Sequence, residues 1–196
     1  MERKNTLDTR KLVLLALFTA IVTVLQFMGA FIRFGPFSVT LVLMPIAIGA
    51  ALMGVMAGGW LGLVFGVVVL ISGDAAAFFA IDPAGTIFVV LVKGVLAGLA
   101  AGAAYKLLEN RSKTVAAICA AAACPLVNTG AFIIGSYVFF LPTVTQWGEA
   151  AGFSDVTAFI FFGLIGANFI FEIILNFVLS PVIVRLIQFR QSKRFA

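Results

Sequence analysis

Read from its first residue onward, the chain alternates between long apolar runs and short polar breaks. The runs are too uniformly apolar for a surface helix, which shows one apolar stripe against a polar face. Most approach the ~20 residues that an α-helix needs to cross a hydrocarbon core. Segmentation at charges, prolines and glycines predicts six helices, over residues 12–31, 39–53, 55–72, 86–108, 114–140 and 157–187. Arg33, Gly35 and Pro36 separate the first two, and Asp74, Asp82 and Pro83 mark a short loop after the third. Residues 109–113 make a charged turn, and the stretch 141–156, with Pro142, Trp147, Glu149 and Asp155, reads as the longest loop. No charge marks the break between the second and third helices. Pro45 and Pro125 fall inside runs, and the last helix is expected to bend or break near Pro181. The first run follows a basic stretch, as in a signal peptide, but continues without a clear small-residue cleavage site, so it is read as a retained helix.

Composition sharpens this into a membrane assignment. Apolar residues make up 63% of the 196 and charged residues 11%, against ~45–50% and ~25% in soluble domains; mean hydropathy is +1.19. The expectation is an all-α membrane protein, with residues 1–196 forming a single integral membrane domain. Basic residues orient it. With the N-terminus inside, the cytoplasmic side holds Arg3, Lys4, Arg10, Lys11, Lys106, Arg111, Lys113, Arg185, Arg190, Lys193 and Arg194; the outer side holds Arg33, and Lys93 lies within a span. Both termini are therefore expected in the cytoplasm. The net charge of +5 becomes a fringe facing anionic lipid headgroups, not a nucleic-acid site. Asp74, Asp82, Glu149 and Asp155 make the outer side acidic. The loops there, after helices 1, 3 and 5, either cover a pocket or simply connect helices.

Polar groups at membrane depth are costly and mark functional sites by default. Lys93 lies about two turns into helix 4, and Asn128 and Thr129 near the middle of helix 5. Asn168, Glu172 and Asn176 follow at i+4 steps on one face of helix 6. Two readings are open. The five residues Lys93, Asn128, Thr129, Asn168 and Glu172 converge on a ligand site, with Tyr137, Phe139, Phe140 and Trp147 as apolar walls. Alternatively, Lys93 and Glu172 form a structural ion pair and the asparagines tie helices together. Their confinement to three helices favours the site.

Small residues recur at every fourth position: Gly54, Gly58, Gly62 and Gly66 on helix 3, and Gly94, Gly98 and Gly102 on helix 4. Such rows let helix backbones approach closely in lipid, within one chain or against another subunit. Ala16 and Ala20 form a smaller pair on helix 1, suited to internal packing or to docking a partner. Cys119 and Cys124 suggest neither a disulfide nor a metal site, and the chain contains no histidine. No GxxxxGK[ST] phosphate loop and no nucleophile–base arrangement is present, so the chain is not expected to be an enzyme, and ATP-driven transport would need its engine in another protein.

These features together resemble a known family. The basic start Thr9-Arg10-Lys11-Leu12, the Ala16 and Ala20 pair, and six spans with cytoplasmic termini are similar to the substrate-binding S components of bacterial energy-coupling factor (ECF) vitamin importers. The segments 125–130 (PLVNTG), 168–176 (NFIFEIILN) and the glycine-rich 43–65 resemble the pantothenate-type members in particular. The resemblance implies an S-component-like bundle in the bacterial cell membrane. It implies capture of a water-soluble vitamin, most closely pantothenate, at the outer face beneath the loops after helices 1, 3 and 5. The S component then topples, while a transmembrane coupling subunit and two cytoplasmic ATPases drive inward release. Ala16 and Ala20 would dock on the coupling subunit. Lys93 would hold the carboxylate of the vitamin, and Asn128, Asn168 and Glu172 would bond its amide and hydroxyls, Glu172 otherwise partnering Lys93. The chain itself would need no cofactor; its partners would use the ATP. Against this stand a self-sufficient transporter driven by an ion gradient, with Glu172 as the coupling carboxyl, and a structural or assembly protein without a ligand.

Overall fold

A computed structural model describes residues 2–30, 33–34, 37–38, 40–166, 169–170, 172–174 and 178. Helix α1 (Glu2–Ala30) is followed by an antiparallel pair of two-residue strands, β1 (Arg33–Phe34) and β2 (Phe37–Ser38), with Arg33 opposite Ser38 and Phe34 opposite Phe37. Then come α2 (Leu43–Met53), α3 (Val55–Ile71), α4 (Ala76–Phe79), α5 (Pro83–Leu108), α6 (Lys113–Phe139), α7 (Leu141–Ala150) and α8 (Val156–Ala158). A π-helical segment, Phe159–Ile165, continues from α8. Three helices, Thr9–Ala30, α5 and α6, are long and apolar enough to cross a membrane, and α2, α3 and Val156–Ile165 are shorter apolar helices. The protein is a helical membrane bundle. Asn168, Asn176 and Pro181 lie outside the described residues.

Local chemistry fixes the element ends. Asp82 caps α5 by accepting from the Gly85 N–H at 3.0 Å, with Pro83 at the first helical position, where its missing N–H costs nothing. Ser112 caps α6 and Asp155 caps α8 in the same way. Gly54 separates α2 from α3 with φ 103°, a conformation that residues with a side chain rarely adopt; this is the break that no charge announces. The stretch 141–156, expected as a loop, contains α7, which starts with Pro142 in its first turn and buries Val144 and Gly148, one turn apart. Its remaining face is polar enough to resemble a connection in the sequence.

The framework of the bundle is the contact between α3 and α5. Gly58 opposes Gly98, Gly62 opposes Gly94, and Gly66 lies against Val90 and Leu91. As numbers rise on one helix they fall on the other, so the helices run antiparallel with their glycine rows face to face. A Cβ added to Gly58 or Gly62 would strike the backbone carbonyl oxygen of Gly98 or Gly94, and the reverse substitutions would do the same. These rows therefore pack helices within the chain. Lipid offers apolar helices no hydrophobic reward for associating, so this backbone proximity supplies dispersion contact instead.

Around that seam two separate cores form. The larger joins Phe18 and Val22 of α1, Ile46 and Ala47 of α2, Leu61 and Phe65 of α3, Ala97 and Ala101 of α5, and Ala116, Ala117, Ala120 and Ala121 of α6. Its alanines bring α6 against α5 much as the glycines bring α3. The smaller core joins Phe78, Val89, Phe140, Val144, Phe159, Ile160, Leu164 and Ile165. Large apolar side chains such as Met56, Leu107 and Phe162 are 77–82% exposed, as a lipid-facing surface requires.

Two substitutions test the seam. Gly62→Val should destabilise the detergent-solubilised protein by about 1–3 kcal/mol, the usual cost of forcing volume into a packed core, seen as a lower thermal unfolding midpoint. Gly130→Ala, within α6, meets no atom within 4 Å and should leave the midpoint unchanged or raise it, because alanine favours the helix by about 1 kcal/mol over glycine.

Candidate functional site

The seam determines where the polar residues go. Lys93 precedes Gly94 on α5, so the close approach of α3 brings Phe65 to its side: the Lys93 Nζ lies 5.8 Å from the Phe65 ring centroid and 5.3 Å from that of Phe132 on α6. Aromatic faces attract a cation without removing it from reach of another ligand. On α6, Asn128 and Thr129 follow Pro125 by one turn, and all three are buried. Glu172 is 2% exposed.

These groups border one cavity of about 750 Å³, its open mouth included. It lies between the two cores: Val69, Ala75 and Val90 belong to the larger, and Phe78, Val89, Phe140, Leu164 and Ile165 to the smaller. Lys93, Asn128, Thr129 and Glu172 all line it, together with Thr40, Asp74 and Thr86. Thus the structure brings four of the five sequence-predicted site residues to one space; the fifth, Asn168, lies outside the described residues. Apolar walls with convergent polar groups are the usual design of a small-molecule site, and this cavity is richer than usual in the polar groups.

The aromatic walls differ from expectation. Phe140 lines the cavity, as do Phe78, Phe132 and Phe169, whereas Tyr137, Phe139 and Trp147 do not. The Tyr137 hydroxyl lies 3.1 Å from Thr157 Oγ1, Phe139 faces Phe88, and Trp147 of α7 packs edge-on behind Phe78 at 5.5 Å. The ring that α7 supports is Phe78, and Phe78 borders the cavity. The π-helical turn contributes Leu164 and Ile165 to the wall, adjacent residues both turned inward.

The electrostatics centre on Lys93, with the carboxyl groups of Asp74 and Glu172 both near enough to act on its charge. The acidic residues expected on the outer side divide by task. Asp82 and Asp155 are helix caps, Glu149 is exposed on α7, and Asp74 turns to the cavity, where it accepts a hydrogen bond from Gln26 Nε2 at 3.1 Å. Two further polar atoms are buried beside the cavity without a hydrogen-bond partner among the described residues, Thr86 Oγ1 and Asn128 Oδ1. Unsatisfied buried polar atoms cost about 1–3 kcal/mol each, a cost that a ligand offering complementary groups would remove.

Asp74, Thr86 and Thr40 are the lining residues that the sequence reading passed over. Asp74 follows Gly73, whose φ of 75° turns the chain back toward the bundle. A Gly-Asp pair after an apolar run is the signal available in the sequence, and it resembles any solvent-facing turn. Thr86 lies two turns before Lys93 on α5, and that spacing points to the same face.

Ala16 and Ala20 do not line the cavity. Both are exposed on α1, beside Leu17 at 54% exposure, while Phe18 and Val22 face the core. Trp60 of α3 donates its indole N–H to Thr19 Oγ1 at 3.2 Å, holding α1 to the bundle.

Comparison with known proteins bears on the whole chain. Residues 10–184 match the family model described as the substrate-specific component of ECF transporters. The chain is 27% identical over 188 residues to a protein of Lactococcus lactis subsp. cremoris named pantothenic acid transporter PanT, covering 87% of this chain and 90% of that one. No solved structure matches it. The family is one of transporter components and not of enzymes, and its name implies further subunits that complete the transporter. With a helical membrane bundle and a family match over most of its length, this chain belongs to the substrate-specific components of ECF transporters.

Proposed function

We propose that this chain captures pantothenate at the outer face of a bacterial plasma membrane and delivers it inward with an ECF coupling subunit and two cytoplasmic ATPases. The reading takes the chain as one domain of six spans with both termini in the cytoplasm. One observation carries it: Lys93 is the basic residue among the described cavity-lining residues, set between aromatic rings and amid hydroxyl and amide groups. Pantothenate offers a carboxylate, an amide and two hydroxyls. Lys93 pairs with the carboxylate; Asn128 and Thr129 bond the amide; Glu172 accepts from a hydroxyl; Asn168 belongs to the same set. The similarity to a protein named for pantothenic acid supports the vitamin.

Ala16 and Ala20 dock on the coupling subunit. Their small side chains on an exposed face of α1 suit close helix contact. ATP is hydrolysed by the partner subunits, and this chain uses no cofactor of its own.

Equilibrium binding to the purified protein, across pantothenate, riboflavin, folate, biotin and thiamine, tests the ligand. Pantothenate should bind most tightly, and Lys93→Ala should weaken it by at least about tenfold, since hydrogen bonds to charged groups contribute about 1.5–3 kcal/mol. Preference for another vitamin would keep the family and reject this ligand. In proteoliposomes, the chain alone should not accumulate pantothenate, whereas the chain with its coupling subunit and ATPases should do so when ATP is supplied. Accumulation by the chain alone under a proton or sodium gradient would instead establish a secondary transporter with Glu172 as coupling group. Ala20→Trp should abolish ATP-driven uptake while changing binding by less than about twofold, because the exposed face of α1 lies away from the cavity.

A further inference from the structure

Asp74 is a charged cavity-lining group to which the pantothenate reading above assigns no contact with the ligand. It stands in the turn between α3 and α4, where Gly73 adopts φ 75°, and its carboxylate accepts the Gln26 Nε2 hydrogen bond. Gln26 belongs to α1, is 2% exposed and does not line the cavity. Its Oε1 is buried and makes no hydrogen bond among the described residues. Burying an amide with half of its capacity unused is costly, and an apolar side chain of similar length would fill the position without that cost. What the amide provides is one N–H aimed at Asp74. That bond fixes the carboxylate's direction, and a carboxylate has about four acceptor positions with which to meet further donors.

A carboxyl group close to Lys93 works against a ligand's own carboxylate, by like-charge repulsion. It favours binding only through donors that the ligand presents to it. Thr86, 1% exposed with its hydroxyl unpartnered at the same cavity, offers such a ligand a second polar contact. We propose that Asp74, oriented by Gln26, is a specificity-determining residue that reads the ligand's hydroxyl groups. The class admitted is a small carboxylate that also carries hydroxyl donors. A carboxylate without them keeps its pairing with Lys93 but meets the repulsion of Asp74 without the hydrogen bonds that compensate it, which is how a site rejects a near relative. Gln26 acts through Asp74 and is a positioning residue. The inference rests on the pantothenate reading and adds to it the group that selects the hydroxylated end.

Two analogues separate the ends of the ligand. N-(3,3-dimethylbutanoyl)-β-alanine keeps the carbon skeleton, amide and carboxylate of pantothenate and lacks both hydroxyls; pantothenyl alcohol keeps the hydroxyls and lacks the carboxylate. Calorimetric titration of the purified full-length protein should give a wild-type preference for pantothenate over each of at least about tenfold. Asp74→Asn should narrow the preference over N-(3,3-dimethylbutanoyl)-β-alanine at least about fivefold, because a charged acceptor becomes a neutral one. The same variant should keep or widen the preference over pantothenyl alcohol, a result that general damage to the fold would not give. Gln26→Met should narrow the first preference and add nothing further to Asp74→Asn, the non-additivity expected of residues acting as a unit. An Asp74→Asn protein that binds pantothenate with the wild-type preference over N-(3,3-dimethylbutanoyl)-β-alanine overturns this inference and leaves the pantothenate reading standing. Wild-type protein that binds pantothenate no better than the other vitamins overturns that reading, and this inference with it. Where Asp74→Asn is too unstable to purify, Gln26→Met decides, and an unchanged hydroxyl preference overturns the assignment.

Discussion

The contact on which the rest of this structure depends has no side chains in it. Where α3 crosses α5, glycine meets glycine, and the carbonyl oxygen of each helix occupies the volume that a Cβ on the other would need. In water such a contact would contribute little, because it buries little apolar area. In lipid the comparison is different: tails solvate leucine as well as another helix does, so depth of approach distinguishes a native contact from an accidental one. Everything near the seam inherits its position from that approach. Phe65 reaches Lys93 because the backbones of Gly62 and Gly94 already touch.

Polar groups then occupy the space that neither core fills. The larger core is closed by alanines between α5 and α6 and the smaller by aromatic rings beneath α7. Between them the packing gives way to a cavity holding an ammonium group, two carboxyl groups, and amide and hydroxyl atoms without partners. A protein selected for stability alone would not leave those atoms so. Their cost in the ligand-free state is the counterpart of binding, since a site that satisfied itself internally would have less to gain from a guest.

Much of this was legible from residue type and spacing. Glycines at every fourth position announced close helix contact, and Lys93, Asn128, Thr129 and Glu172 stood out because polar groups in apolar runs need a reason. What escaped notice did so for physical reasons. Asp74 follows a glycine in a short polar turn, where a carboxylate ordinarily meets water; its inward position depends on a backbone angle and on Gln26, a residue 48 positions away. Helix α7 was hidden because Pro142 and Gly148 are loop-forming and Glu149 is charged, while its fold is dictated by Val144 packing into a core that forms only in three dimensions. The π-helical turn has no signature in residue spacing at all. Trp147 was expected at the wall and lies one layer behind it, because Phe78 of the four-residue helix α4 intervenes.

The unequal lengths of the paired helices bear on the surrounding lipid. With 26 residues, α5 rises about 39 Å, while α3, with 17, rises about 26 Å. A hydrocarbon core is about 30 Å thick. One flank of the molecule therefore exceeds the bilayer and the adjoining flank falls short of it, so lipids must stretch on one side and compress on the other, or the bundle must lean. A body with that asymmetry has no neutral upright posture. Its tilt becomes a function of acyl-chain length, set in part by the elastic energy of the bilayer.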